Sequence, residues 1–319
     1  MKLMRMMFVF LCITIMMTGC KQDNENQVQN VGLLLDGKIE DHEWNRKGYE
    51  GLRQIEEKFD VDVFYKENIT TEKDVLHSVD EFVKNGVNLI FGHGNIYGSF
   101  FQEVEEMYPD VHFVYFNGGY SNDHVTSLNF NGHAMGFFSG MIAAEMSRTN
   151  KVGMIAGFES QSEIEGFYEG ATFHNSEVEI HANYINNLDH MGEVTDIYNE
   201  MLHNNVDVFY PVSYSFSERI IKKAETDNAY AIGYIADQSD IAPSTVLTST
   251  VQQVEQLYEI TAEQFNNNTL EGDLLVYDFP DELLSLSDFN TRVPERFQIY
   301  MENVIEEYKK TGLLPSKSR

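Results

Sequence analysis

Cysteine is almost missing from this 319-residue chain; it occurs only at Cys12 and Cys20. No disulfide can therefore staple the body of the fold. Tryptophan occurs once, at Trp44. There is no G-x-S-x-G elbow, no Walker loop, no H-E-x-x-H and no cysteine pair. The ten histidines are scattered. Nothing in the pattern points to an enzyme, a metal or a cofactor. Positive charge is scarce as well, with 22 Lys and Arg against 51 Asp and Glu and a net charge of −29. A surface this acidic repels phosphate backbones and anionic headgroups, so direct nucleic-acid binding is not expected. The densest basic stretch, RIIKK at 219–223, reads as a solvated helix face.

What the chain does have begins with an export signal. Lys2 and Arg5 precede an apolar run, 6–17, that is too short to span a bilayer. Met17-Thr18-Gly19-Cys20 follows. Residues 1–19 read as a secretory signal, and Thr-Gly-Cys resembles the bacterial lipobox, in which the cysteine becomes the lipidated first residue. The alternative is a plain signal peptide with an incidental cysteine. Two acyl chains on Cys20 would suffice for stable anchoring. Residues 20–30, polar and without apolar periodicity, then form a tether. The expected location is the extracytoplasmic face of the cell membrane. Once Lys2 and Arg5 are removed, 20 basic residues face 51 acidic ones, a net −31.

From residue 31 onward, strand-like and helix-like runs alternate in two series, 31–148 and 152–250. This predicts two doubly wound α/β lobes with a cleft between them. The expected division is 31–149 plus about 250–273 for lobe one, and 150–249 plus about 274–319 for lobe two. Gly136 and Gly140, four apart in a small-residue helix, are expected to pack it closely on a sheet. In such folds ligands sit beyond the carboxyl ends of the strands. Asp36 ends the first apolar run, and Trp44 follows one turn into the next helix. Trp44 reads equally as a core residue or as a surface on which a ring ligand stacks. His93, in Gly92-His93-Gly94-Asn95, and Asn117 also stand at strand ends.

The run from Asp36 to Asn45 resembles the D-x-G-x-x-D-x-S-F-N entry motif of the BMP/PnrA/Med family of lipoproteins. Asp36, Asp41 and Asn45 match, Trp44 stands for the Phe and Glu43 for the Ser. FFSGMIAAEMS followed by KVGMIAG, and YAIGY through Asp237-Gln238 followed by VLTST, are also similar to that family. The resemblance covers essentially the whole chain. It implies a type I periplasmic-binding-protein fold closing around a small ligand, a purine nucleoside in the PnrA branch. It implies an ABC transporter permease or a membrane signalling protein as partner. Carried over by position, Asp36 and Trp44 line lobe one and Asn45 orients the same turn. Tyr184 is the expected opposing ring.

Three departures stand out. Asn117 replaces an Asp, Ile235 replaces the first Asp of G-V-D-x-D-Q while Asp237 and Gln238 are kept, and Gln252 replaces a Lys. Each removes a charge-assisted bond of about 1.5–3 kcal/mol. Their loss either abolishes nucleoside binding or marks a different ligand. These departures, with GHGN at 92–95, look most like the Med branch, which implies positive regulation of the competence gene comK. The competing expectation is a regulatory protein that acts through protein partners, its pocket vestigial.

Overall fold

The apolar runs assemble into two sheets. The computed structural model describes residues 27–159, 161–185 and 191–316. The expected signal, Cys20 and most of the tether lie outside these residues. In the first half, β1 (Val31–Leu34), β2 (Val63–Lys66), β3 (Leu89–Gly92), β4 (His112–Phe116) and β5 (Val125–Phe130) alternate with α1 (Glu43–Phe59), α2 (Glu72–Lys84) and α3 (Tyr97–Val104). The helix α4 (Gly132–Met146) leads into the second half. There β6 (Lys151–Ala156), β7 (Glu179–Tyr184), β8 (Val208–Val212), β9 (Tyr230–Ile235) and β10 (Val246–Gln252) alternate with α5 (Ser162–His174), α6 (Met191–His203) and α7 (Ser217–Thr226). The chain ends with α8 (Val254–Asn266), β11 (Leu274–Tyr277), β12 (Leu284–Leu286) and α9 (Glu295–Thr311).

The first sheet has the order β11-β5-β4-β3-β1-β2 and the second β12-β10-β9-β8-β6-β7. Every pairing is parallel except β10 with β12. Without β11 and β12, both lobes share one order, in which the second strand lies outside the first and the third lies on its other side. Such a sheet has its topological switch point between its first and third strands. Strands β1, β3, β4 and β8 are buried along their whole length, as a parallel sheet covered on both faces requires. The edge strand β11 alternates exposed and half-buried residues.

The expected lobe division fails at one strand and at one helix, since α4, expected with 31–149 in lobe one, packs on α5 of the second lobe. The span from 274 onward was assigned to lobe two, yet β11 pairs with β5 in the first sheet. The reason is α8, which runs back along α1. Lys47 bonds Glu255 at 2.7 Å, and Lys58 bonds Glu259 and Glu263 at 2.8 and 2.9 Å. The chain leaving α8 is thus already beside the first lobe, where the open edge of β5 is available. It returns to the second sheet only at β12, a three-residue strand too short to show a pattern. The crossings bond to one another: the Asn131 N–H donates to Tyr277 O at 2.8 Å, and the Gln253 N–H to Leu283 O at 3.0 Å. Tyr308 of α9 and Asn131 both bond the Asp278 carboxylate.

Gly136 and Gly140 pack against a helix, not a sheet. A Cβ on Gly136 would lie 2.2 Å from Glu163 O, and one on Gly140 2.3 Å from Phe167 O. The glycines of α5 reciprocate, with Gly166 facing His133 O at 2.0 Å and Gly170 facing Phe137 O at 1.8 Å. The two backbones touch, and no side chain larger than hydrogen fits between them. Gly170→Ala should therefore lower the unfolding free energy by about 1–3 kcal/mol in urea titration, despite alanine's better helix propensity. Gly119→Ala, with nothing within 4 Å of its Cβ, should change it by less than about 0.5 kcal/mol.

Candidate functional site

The two switch points face each other across a cleft of about 320 Å³, within the range of small-molecule sites. Asp36 follows β1, Gly94 and Asn95 follow β3, and Asn117 follows β4. From the other lobe, Gly157 and Phe158 follow β6, and Ser213 and Tyr214 follow β8. The start of α5 (Gln161, Ser162, Glu163), with Tyr234 and Gln252, completes the second wall. Asn129, Phe130 and Met135 come from the first crossing.

Trp44 is 3% exposed and belongs both to the core and to the cleft wall. The imidazole of His93 lies against it, with ring centres 4.2 Å apart and planes 19° apart. Nε2 of His93 donates to Trp44 O at 2.8 Å and Nδ1 accepts from the Tyr258 hydroxyl at 2.8 Å. Trp44 Nε1 in turn donates to His93 O at 3.3 Å. This set fixes one neutral tautomer of His93. The helix α1 is notched to admit the stack. A Cβ on Gly48 would lie 2.8 Å from the His93 ring, and one on Gly51 2.7 Å from Tyr258. Tyr214 lies nearly parallel to Trp44 from the second lobe, with centres 6.2 Å and planes 14° apart. His42, the N-cap of α1, touches the Tyr214 ring at 4.5 Å.

Burial governs the titration here. It drives His93 down to about 3 and lowers His42, against the pull of Asp36 and Asp41. Burial, and then the Asp36 charge, push the Tyr214 phenol up to about 12. Glu163 is raised by burial, although a backbone N–H and the Tyr234 hydroxyl at 3.3 Å bond it.

Of the residues expected from sequence, Asp36, Trp44, Asn117 and Gln252 line this cleft. The others do not. His93 is fully buried behind Trp44 and supports its ring. Asn45 is also fully buried; its amide donates to Lys38 O at 3.2 Å and to Asp36 at 3.4 Å, which holds the turn together. Tyr184 is 38% exposed at the end of β7, the outer strand of its sheet and one place away from the switch point. Ile235 is buried at the end of β9 with φ +74°, a left-handed conformation rare for a β-branched residue. Asp237 accepts from Ser239 N at 3.0 Å in an exposed turn. Tyr214 and Glu163 were missed. Tyr214 stands two residues beyond β8, and only the strand order singles that position out. Glu163 reads from sequence as an ordinary acid in a first helical turn.

His93 gives the fold a pH dependence. In acid the unfolded chain takes up a proton that folded His93 refuses, so stability falls as pH drops from about 6.5 towards 3. His112, lowered to about 4 by burial, acts the same way. Glu163 acts oppositely, its share being lost as pH rises. Urea titrations at pH 7, 6, 5 and 4 should show the wild type losing more stability than His93→Phe, by up to about 1.4 kcal/mol per pH unit.

With fold and cleft established, the chain can be set beside known proteins. The family described as ABC transporter substrate-binding protein PnrA-like (Bmp) matches residues 28–318. The transcriptional activator protein Med of Bacillus subtilis is 42% identical over 312 residues, spanning 98% of both chains. The crystal structure of a transcriptional activator of the comK gene from Bacillus halodurans superposes with a TM-score of 0.84 at 41% identity, over 90% of this chain and 99% of that one. An ABC transporter solute-binding protein from Conexibacter woesei, 17% identical, shares the fold with a TM-score of 0.72 over 90% of this chain and 98% of its own. Among the described residues no helix is long and apolar enough to cross a membrane. The chain belongs to the Bmp family of PnrA-like substrate-binding proteins, not a family of enzymes, and within it is similar to the Med activators.

Proposed function

We propose that this chain is a lipid-anchored extracytoplasmic receptor, held by Cys20, that binds a nucleoside-like ligand in the cleft between its lobes. Its role is Med-like, promoting expression of the competence gene comK through a membrane protein partner, an ABC transporter permease or a signalling protein. The observation that carries this reading is the pair of nearly parallel rings, Trp44 and Tyr214, contributed by opposite lobes. A flat base stacks between such rings, while Asp36, Asn95, Asn117 and Asn129 offer hydrogen bonds to base and sugar. A ring held between two others needs about 7 Å between the outer planes at ordinary carbon contact distances. The 6.2 Å separation is shorter, so the lobes must open slightly to admit one and then close on it.

That same closeness, with Gln252 in the wall where the family has a lysine, favours a second reading. In it the empty cleft closes on itself and the protein signals only through protein contacts.

Trp44 is the only tryptophan in the full chain, so its fluorescence reports on the cleft directly. Titration with adenosine, guanosine or inosine should give saturable quenching and a thermal shift of several degrees, since a ligand at 100 times its Kd adds about 2.7 kcal/mol. Tyr214→Ala should weaken that binding about 5- to 150-fold, the worth of one stacking contact of about 1–3 kcal/mol. Absence of both signals with these three and with nucleosides whose base is a cation would reject the receptor reading in favour of the second.

A further inference from the structure

The cleft has an unbalanced charge, and the imbalance says what kind of ligand it takes. Among the described residues its ionisable acids are Asp36 on one wall and Glu163 on the other, and no Lys or Arg lines it. Among the described residues neither carboxyl is paired with a Lys or Arg. Lys47, buried on α1, is committed to Glu255 of α8 at 2.7 Å. His42, which touches Tyr214, is kept neutral at pH 7 by burial. Gln252 is a neutral amide, and its Nε2 faces Met135 Sδ at 3.7 Å. The positive end of α5 does not offset the acids for a ligand either. Glu163 sits in its first turn and accepts a backbone N–H there.

Phosphate or carboxylate groups would meet two carboxyls and no counter-charge. A neutral ligand would leave Asp36 without an ionic partner. Between the acids stand two electron-rich faces, Trp44 and Tyr214. The phenol of Tyr214 stays protonated up to about pH 12, so its face is that of a neutral ring. Aromatic faces with a carboxylate beside them recognise a cation whose charge is spread over a flat or alkylated nitrogen centre. The strongly acidic surface of the whole chain would concentrate such cations at the cleft.

Resting on the receptor reading above, we infer that the cleft selects a nucleoside-like ligand with a positively charged, planar base, held between Trp44 and Tyr214 with Asp36 as its counter-charge and the buried Glu163 carboxyl on the facing wall. Phosphorylated forms are excluded by the same two acids.

The test uses two methyl isomers of adenosine that differ by one bound proton at neutral pH. At pH 7, 1-methyladenosine carries a delocalised positive charge and N6-methyladenosine is neutral. Trp44 fluorescence titration of the full chain in detergent should give a Kd at least tenfold lower for the cation, a difference of about 1.4 kcal/mol. The preference should shrink as salt is raised from 0.05 to about 0.5 M, as screening requires. Asp36→Asn should bring the ratio of the two constants towards one, and circular dichroism of that variant would confirm that it is folded. Nicotinamide riboside, whose base is a permanent cation, should also bind, and its 5′-phosphate should not. Equal or tighter binding of N6-methyladenosine would overturn the inference and leave the receptor reading standing. So would an unchanged ratio in folded Asp36→Asn. Failure of every nucleoside, charged or neutral, would overturn both.

Discussion

An uncharged imidazole holds the first lobe together. His93 donates from one nitrogen to the backbone of α1 and accepts at the other from Tyr258 of α8, while its ring backs Trp44. Three elements far apart in sequence meet on that one side chain: the end of β3, the first turns of α1, and a helix that arrives only after the chain has built most of the second lobe. The glycine notch at Gly48 admits His93, and that at Gly51 admits Tyr258. A charged imidazole would lose the acceptor needed by Tyr258 and would place an ion in a fully buried site. The cleft wall thus inherits its rigidity from a group that takes no part in lining it.

This arrangement explains what sequence could and could not disclose. The alternation of buried strands with helices was plain, because strands covered on both faces must be apolar throughout. Asp36, Trp44 and Asn117 could be found because they follow strands or begin helices, and carboxyl ends of parallel strands point to the cleft, whereas Gln252 was found only through the family resemblance. His93 obeyed the same rule and still turned inward, because a single residue's direction at a strand end is settled by packing. The error with Tyr184 was one of lateral order. Two strands, 179–184 and 208–212, each end near a tyrosine, and the pairing of β6 with both shows that β7 is the outer one. The misassigned 274–277 strand has the same origin, since pairing partners are long-range facts that no local window contains.

The cleft and the surface around it carry a common electrostatic sign. Members of a solute-binding family need not keep one ligand chemistry when wall residues change. Here Asn117 and Gln252 leave a wall of amides, hydroxyls and aromatic faces in which, among the described residues, Asp36 and Glu163 are the only acids. The similarity to Med activators places a regulatory output beside a solute-binding architecture. The crossings are tied together where the lobes join, Asn131 and Tyr308 both bonding Asp278, and the same helix α9 presents Ile299 and Tyr300 to solvent.

The position of β11 and β12 governs the order in which the molecule can be completed. Each sheet receives its last strand from the C-terminal part of the chain, β11 closing the edge beside β5 and β12 the edge beside β10. A chain growing from its N-terminus therefore carries β5 and β10 as bare edges, beside the permanent edges at β2 and β7, until residues 277 and 286 respectively have emerged. Such edges recruit neighbouring chains. The interval between synthesis of β5 and arrival of β11, almost half the length of the protein, is the period in which this fold is most exposed to mispairing, and in which a holding chaperone has most to protect.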